Sequence, residues 1–133
     1  PEVLHSLAEQ IPRRALVIVV SDFFGGVNEI LHCFEHLVFR KHDVAAFHLL
    51  DDQEIEFELE RPCRFIDMET GESTLTDPAL IREEYRRCFE EYLTYFREKC
   101  LEYGVDYRRT PLSRHYEDAL SSFLLERMRR RGG

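Results

Sequence analysis

The sequence contains no apolar run that approaches the roughly 20 residues needed to span a bilayer. It also lacks the basic-then-apolar leader of a secretory signal. No CxxC pair occurs among its four cysteines, which excludes zinc-ribbon spacing and a secreted disulfide pattern. These absences predict a cytoplasmic protein with free, buried thiols, although a longer parent chain could carry a membrane anchor.

Basic residues are also scarce. The 133 residues include 18 lysines and arginines against 26 aspartates and glutamates, for a formal net charge of −8. A general nucleic-acid-binding protein needs a basic face for phosphates, so we expect no nucleic-acid partner. Four arginines cluster at Arg127 and 129–131, where they favour the solvated end of a terminal helix over an RNA or membrane contact.

The common phosphate-binding and nucleophile motifs are missing as well. Neither GxxxxGK[ST] nor GxGxxG occurs, so Gly25-Gly26 does not indicate a phosphate loop. No GxSxG elbow is present either, which removes the usual signal of a serine hydrolase.

What the sequence does have is an apolar run, Leu16–Val20, followed directly by Ser21-Asp22-Phe23-Phe24-Gly25-Gly26. Such a β-branched run predicts a strand buried on both faces, as in a parallel sheet. Asp22 then lies at the carboxyl end of the strand, where open α/β sheets bind ligands.

The rest of the chain alternates strand and helix patterns. Further strands are predicted at Val44–Leu50 and Val105–Arg109, and helices at 1–10, 27–41 and 77–103. A last helix is predicted to begin at Ser113 or at Thr110-Pro111. A half-exposed acidic strand at 54–60 and a hairpin around Gly71 lie between the second strand and the long helix. We therefore predict one α/β domain over 1–133, a mostly parallel Rossmann-like sheet with helices on both faces and an inserted β-hairpin.

Spacing predicts which helix faces are buried. An aromatic stripe from Tyr85 to Tyr103 is more typical of a core face than of a ligand platform. In the last helix, five large apolar residues are predicted to face inward: Tyr116, Leu120, Phe123, Leu124 and Met128.

Acidic and hydroxyl side chains at the strand ends are the candidate metal ligands. Asp22 and Ser21 end the first strand, and Asp51 follows the second, so the two carboxylates could share a magnesium ion at one sheet edge. The competing interpretation is that Asp22 caps the following turn and that Asp51-Asp52 is a solvated turn. A small magnesium-dependent hydrolase using Asp22 and Asp51 is the alternative function.

Two histidines one helical turn apart, His32 and His36, could share a zinc ion. The metalloprotease arrangement needs Glu directly after the first histidine, where this chain has Cys33, and no third ligand is evident. A polar helix face opposite Phe34 is the favoured interpretation.

With these elements placed, the sequence resembles the carboxyl half of the bacterial DUF58 family, whose members are von Willebrand factor A-like. The segment Leu16–Asp22, preceded by Ile11-Pro12-Arg13-Arg14, resembles the fourth strand of such a domain. The resemblance continues through 42–51, 64–72 (Arg64-Phe65-Ile66-Asp67-Met68-Glu69-Thr70-Gly71-Glu72), Asp77-Pro78 and Tyr103-Gly104-Val105-Asp106-Tyr107.

The resemblance implies a non-enzymatic interaction module with a metal-ion-dependent adhesion site built from three loops. The first loop carries Asp-x-Ser-x-Ser, the second a threonine, and the third an aspartate after a buried strand. Only the third matches, at Asp22, and no Asp-x-Ser-x-Ser occurs in the chain. We therefore expect an incomplete site, with Mg²⁺ or Mn²⁺ bound in a full-length parent. The resemblance also implies a MoxR-type AAA+ ATPase as partner of the full protein.

In a sheet of this family the first strand, which would lie upstream of Pro1, sits beside the Leu16–Val20 strand. Without it, that strand would have an open apolar edge, which promotes association. We expect the chain to cover this edge by self-association with a second copy.

Overall fold

The computed structural model describes residues 2–51 and 78–132. The predicted half-exposed strand and hairpin, together with Cys63, lie outside these residues. The elements in chain order are α1 (Glu2–Gln10), β1 (Leu16–Ser21), α2 (Val27–Phe39), β2 (Asp43–Leu50), α3 (Pro78–Tyr103), β3 (Asp106–Pro111) and α4 (Tyr116–Arg131).

The three strands form one parallel sheet in the order β1-β2-β3, with β2 in the centre. The register places Ser21 beside His48, and His48 beside Arg109. This arrangement confirms the predicted α/β class and brings the carboxyl ends of the strands to one edge. Among the described residues, β1 pairs with β2 alone.

The two faces of the sheet are covered differently. On one side, which we call the α3 face, Val17, Val44 and Ala46 pack in one cluster with buried residues of α1, α2 and α3. On the other side, the α4 face, Ala45 and Phe47 pack against Phe123 of α4. The alternation of side chains along each strand explains why neighbours such as Ala45 and Ala46 serve different clusters.

The long helix α3 has the predicted buried stripe. Tyr85, Phe89 and Phe96 are buried, and Tyr92 is half-buried. The helix stops where the sequence predicts, because Gly104 takes a left-handed conformation (φ 78°) and the Val105 amide donates to the Cys100 carbonyl at 2.8 Å.

The prediction that the cysteines are buried and form no disulfide is confirmed for the three that the structure describes. Cys33, Cys88 and Cys100 are buried and form no disulfide bond among the described residues. No helix in the described part of the chain is both long and apolar enough to cross a bilayer.

The prediction that β1 is buried on both faces is wrong. Val17 is buried, but Ile18 and Val20 are 37% and 58% exposed on the α4 face. The reason is the position of α4, which sits over the centre of the sheet with the Phe123 ring 5.4 Å from that of Phe47. No other described helix covers this face of β1.

The predicted inward face of α4 is also largely wrong. Phe123 is buried, but Tyr116 and Met128 are 75% and 70% exposed, and Leu120 and Leu124 are 38% and 42% exposed. These four residues repeat every four positions, whereas a helix turns once in about 3.6 residues. Each step therefore rotates the row by roughly 40°, so the four residues spread around the helix and cannot all face the sheet.

The observed ends of some helices and strands differ from the predicted ends by a few residues. Helix α2 stops at Phe39, short of the predicted Lys41, which has a left-handed backbone (φ 68°) and lies outside the helix. Strand β3 runs to Pro111, and α4 begins at Tyr116.

Candidate functional site

The chain turns sharply where β1 ends. Phe23 has a left-handed backbone (φ 53°), and Gly25 and Gly26 follow with φ of 78° and 59°. The two glycines adopt this conformation at little cost, but for a bulky aromatic residue it is strained. Such strain persists only where the surroundings determine it, so the contacts of Phe23 decide the shape of the turn.

Phe23 is anchored in the core beneath the turn. Its buried ring stacks on Phe96 of α3 at 4.9 Å and meets the rings of His48 and Phe34 edge-on at 5.1 and 5.9 Å. The Tyr92 hydroxyl donates a hydrogen bond to the Phe23 carbonyl at 2.7 Å. Helix α3 therefore holds both the ring and the backbone of this residue.

Ser21 and Asp22 each accept a hydrogen bond from the turn they precede. The Phe23 amide donates to Ser21 Oγ at 3.1 Å, and the Phe24 amide donates to Asp22 Oδ1 at 3.2 Å. The interpretation of Asp22 as a turn cap is thus confirmed. Its side chain is exposed at the sheet edge, and no hydrogen bond among the described residues uses Oδ2.

Directly below the turn lies a buried histidine. His48 Nδ1 is hydrogen-bonded to the Tyr107 hydroxyl at 2.9 Å, and the side chain has no exposed surface. Its Nε2 has no partner of hydrogen-bond geometry among the described residues. Burial lowers the pKa of His48 to about 4, although the backbone and carboxylate of Asp22 favour the protonated ring. His48 is therefore neutral at pH 7.

The two tyrosines that flank His48 are held in their neutral form. Burial raises the pKa of Tyr92 well above its ordinary value and that of Tyr107 to about 12. Neutral phenols keep their hydrogen-bond donors, so Tyr92 donates to the turn throughout the physiological range.

Asp51 follows β2 at the same edge of the sheet as Asp22. The register places Ser21 beside His48, so Asp51 comes three residues beyond that level and two beyond the level of Asp22. It is half-buried directly after β2. The described residues contain no group of three or more His, Cys, Asp or Glu side chains arranged to hold a metal ion. Metal binding by Asp22, Ser21 and Asp51 stays a prediction.

A comparison with protein-family models finds one match over residues 2–94, to the family described as "Protein of unknown function DUF58". This match covers more than half of the chain. The chain belongs to the DUF58 family. Searches of the curated proteins and of the solved structures each found no match.

The DUF58 match runs from α1 into α3 and includes the whole β1 turn and Tyr92. It ends before β3 and α4, so the resemblance noted around Tyr103 to Tyr107 lies outside the matched residues. The prediction of a DUF58 protein is confirmed at the level of the family.

The histidine pair on α2 of this DUF58 protein does not face one ligand. His32 lies 3.4 Å from Glu35 and is largely exposed, whereas His36 lies 3.8 Å from Glu9 and packs against the His5 ring of α1. Within the described residues these contacts match the polar-face interpretation.

Sequence reasoning missed His48 and the role of Tyr92. One signal for His48 was available, since it is the single polar residue within the apolar run Val44–Leu50 of this DUF58 chain. Tyr92 gave no separate signal because it follows the periodicity of the α3 core stripe.

Proposed function

We propose that this DUF58 chain is a non-enzymatic, von Willebrand factor A-like interaction module that presents Asp22 to a divalent cation and, through it, to a protein partner. The observation that carries the proposal is the exposed Asp22 carboxylate on a turn braced by the Tyr92–Phe23 hydrogen bond. A rigid turn holds the carboxylate in position before the cation binds, which reduces the conformational entropy lost on binding.

The position of Asp22 supports this proposal. It follows the carboxyl end of a parallel strand, where the loops of open α/β sheets converge. Magnesium is commonly held by one or two protein carboxylates with water in the remaining positions. Oδ1 is engaged by the Phe24 amide, so the cation would use Oδ2.

The proposed adhesion site is incomplete within this chain. No Asp-x-Ser-x-Ser stretch occurs, Ser21 Oγ already accepts from the Phe23 amide, and Asp51 is offset along the sheet. One carboxylate alone binds Mg²⁺ or Mn²⁺ weakly. The remaining ligands would come from a longer parent chain and from an acidic side chain of the partner.

A MoxR-type AAA+ ATPase is the partner we propose for the full-length protein, in the cytoplasm. The three buried cysteines that the structure describes form no disulfide bond, which supports a reducing compartment. The partner assignment depends on the family resemblance alone.

Titration of Mn²⁺ and Mg²⁺ into the chain tests the site, with bound Mn²⁺ followed by electron paramagnetic resonance. We expect weak binding, with a dissociation constant on the order of 1 mM, that Asp22→Asn abolishes. Asp118→Asn on α4, which removes one exposed acid elsewhere, is the matched control.

Two results would contradict the proposal. Binding at micromolar concentrations would show that the site is complete, and equal binding by the Asp22→Asn variant would remove Asp22 from it.

A phosphatase and esterase screen with and without Mg²⁺ decides between the module and the alternative hydrolase. Activity that Asp22→Asn abolishes while the fold is intact would replace the interaction module with an enzyme.

A further inference from the structure

A recess of about 320 Å³, which we call the α4 recess, lies between α4 and the sheet on the α4 face. Residues of β2, β3 and α4 line it, among them Phe47, Arg108, Thr110, Ala119 and Ser122. Pockets that bind small molecules have volumes of about 300–1,000 Å³, so the α4 recess reaches the lower end of that range. It therefore has room for a small molecule rather than for a lone ion.

The α4 recess lies beside the carboxyl end of β3. Its lining includes Arg108 within this strand and Arg114, which lies past the last residue of the strand. Ligands of open α/β sheets bind at this edge, in the loops that follow the strands. Because β1 and β3 lie on opposite sides of the central strand, the α4 recess is separate from the Asp22 turn.

Thr110 is a buried polar residue of the α4 recess. Side-chain alternation puts it on the same face of β3 as Arg108, which is in register with Phe47 of β2. Thr110 is 7% exposed, and its hydroxyl has no hydrogen-bond partner among the described residues. A buried hydroxyl without a partner costs free energy, which a bound acceptor atom recovers. Thr110 therefore points to a ligand that accepts a hydrogen bond in the recess.

Arg108 is fixed in place at the wall of the α4 recess. Its Nε donates to Asp106 at 3.2 Å and its Nη2 donates to Glu126 at 2.7 Å. The guanidinium also lies 5.0 Å from the centre of the Phe123 ring. Its Nη1 has no partner among the described residues and is left as a donor. The Glu126 carboxylate, which also lines the recess, is neutralised by this ion pair.

Arg114 brings to the α4 recess a positive charge that no described carboxylate balances. It is exposed and forms no ion pair with the residues that the structure describes. Arg109 also borders the recess, but its guanidinium reaches Glu90 of α3, on the opposite face of the sheet, at 3.5 Å. The recess therefore carries a net positive charge, although the chain as a whole has a formal net charge of −8.

The donors of the α4 recess come from three directions. Thr110 contributes a buried hydroxyl from the strand, Arg114 a guanidinium from the following loop, and Ser122 an exposed hydroxyl from the helix. A phosphoryl group has three acceptor oxygens in a tetrahedral arrangement, which donors from several sides can satisfy together. A carboxylate is planar, and a single guanidinium can engage both of its oxygens. The arrangement therefore favours a phosphoryl group.

We propose that the α4 recess binds a small phosphate monoester, with its phosphoryl oxygens at Thr110, Arg114 and Ser122 and its organic part beside Phe47 and Ala119. The unpartnered hydroxyl of Thr110 and the unbalanced charge of Arg114 carry the assignment. The volume of the recess leaves room for the organic part as well as the phosphoryl group. Binding here needs no cation at the β1 turn, so the inference goes beyond the proposed function and can fail without it.

Titration of the ¹⁵N-labelled chain, followed by chemical-shift changes in ¹H–¹⁵N spectra, tests the site. The probes are glycerol 3-phosphate, inorganic phosphate and succinate, each at constant ionic strength. We expect glycerol 3-phosphate to bind with a dissociation constant on the order of 0.1 mM, and inorganic phosphate about tenfold more weakly. The shifts should be largest at the amides of Thr110, Arg114 and Ser122 and small at that of Asp22.

Two substitutions remove the donors one at a time. Thr110→Val keeps the shape of the side chain without its hydroxyl, and Arg114→Gln removes the charge. Each should weaken the binding of glycerol 3-phosphate by about tenfold or more. Thr94→Val and Arg82→Gln, at exposed positions on α3, are the matched controls and should leave binding unchanged. Because the Thr110 hydroxyl has no described partner, we expect Thr110→Val to melt at no lower temperature than the unaltered chain.

Four results would overturn the proposal. One is the absence of shifts with every probe up to about 20 mM, and another is binding that Thr110→Val and Arg114→Gln both leave unchanged. Inorganic phosphate that binds as tightly as glycerol 3-phosphate would replace the monoester with the free ion. Succinate that binds as tightly would replace the phosphoryl group with a carboxylate. The exposed Arg114 keeps the test decisive if Thr110→Val fails to fold.

Discussion

The two faces of the sheet are held by different forces. On the α3 face, Phe23, Phe34 and Phe96 form a buried aromatic cluster around His48. On the α4 face, Phe123 is the one buried side chain among the described side chains of the helix, and ion pairs at partly exposed side chains supplement it. Burial of apolar area contributes far more than exposed ion pairs do. We therefore expect the α3 face to supply most of the stability and α4 to separate more easily than α3.

The largest expected effect comes from Phe96→Ala on the α3 face. Removing this fully buried ring leaves a cavity beneath the β1 turn, and we expect it to cost about 4 kcal/mol of unfolding free energy. Urea unfolding measures the cost, with the exposed Leu101→Ala on the same helix as control. A cost under about 1 kcal/mol would show that the aromatic cluster does not carry the fold.

The second expected effect is a loss of stability at acidic pH, caused by His48 on the same face of the sheet. Its pKa is about 4 when folded against 6.5 in the unfolded chain, so the unfolded state takes up a proton first as the pH falls. Stability is full above pH 6.5 and declines between pH 6.5 and 4, by about 3 kcal/mol in total.

Unfolding free energies measured across this pH range check the expectation. His48→Gln should flatten the decline, whereas His32→Gln, at an exposed histidine, should leave it intact. A decline that persists in His48→Gln would assign the pH dependence to other groups.

A smaller effect is expected for Phe123→Ala on the α4 face. Loss of this ring should cost roughly 2 kcal/mol, below the usual 3–5 kcal/mol, because α4 can separate before the rest of the domain unfolds. Native-state hydrogen exchange should show the amides of 116–131 losing protection while those of β2 keep theirs. Equal loss in both would mean that the two faces unfold together.

The smallest effect concerns the ion pairs of Asp43. Burial opposes its ionisation, but hydrogen bonds from Arg14 and Arg127 outweigh it and lower the pKa of Asp43. Its contribution is thus present above pH 3.8 and is lost as the pH falls below that value. Because the partners are partly exposed, Asp43→Asn should cost less than about 1 kcal/mol at neutral pH.

Guanidinium unfolding is unsuitable for this variant because the denaturant is itself a salt, so urea at low and high ionic strength is the measurement. The difference in unfolding free energy between the unaltered chain and the Asp43→Asn variant should shrink at high salt. A salt-independent difference would point to packing rather than charge.

Strand and helix positions followed from local patterns. The run Leu16–Val20 became β1, the Gly104 stop was found at its predicted place, and the α3 stripe faces the core. These features depend on side chains close in sequence, which is why period and turn residues predict them. The exposed side of β1 and the outward row on α4 were not predictable in this way, because both depend on where α4 lies over the sheet.

The candidate site also combines features that neighbouring residues predict with features that depend on residues far apart in the sequence. The position of Asp22 after β1, and its role as a turn cap, could be inferred from neighbouring residues. The brace from Tyr92 joins residues 69 positions apart, and the His48–Tyr107 hydrogen bond joins residues 59 apart. No local pattern records such pairs.

By itself, then, the sequence determined the alternation of strands and helices and the parallel sheet, since both are indicated by short-range periodicity and buried apolar runs. It also determined the family, through the resemblance of several segments and the match over residues 2–94. Only the tertiary structure decided that Phe23 is driven into a left-handed turn by a ring from α3, and that α4 leaves one flank and the neighbouring strand open. The physical reason is that burial is a property of the assembled layers, and a residue's own periodicity does not say whether another layer will cover it.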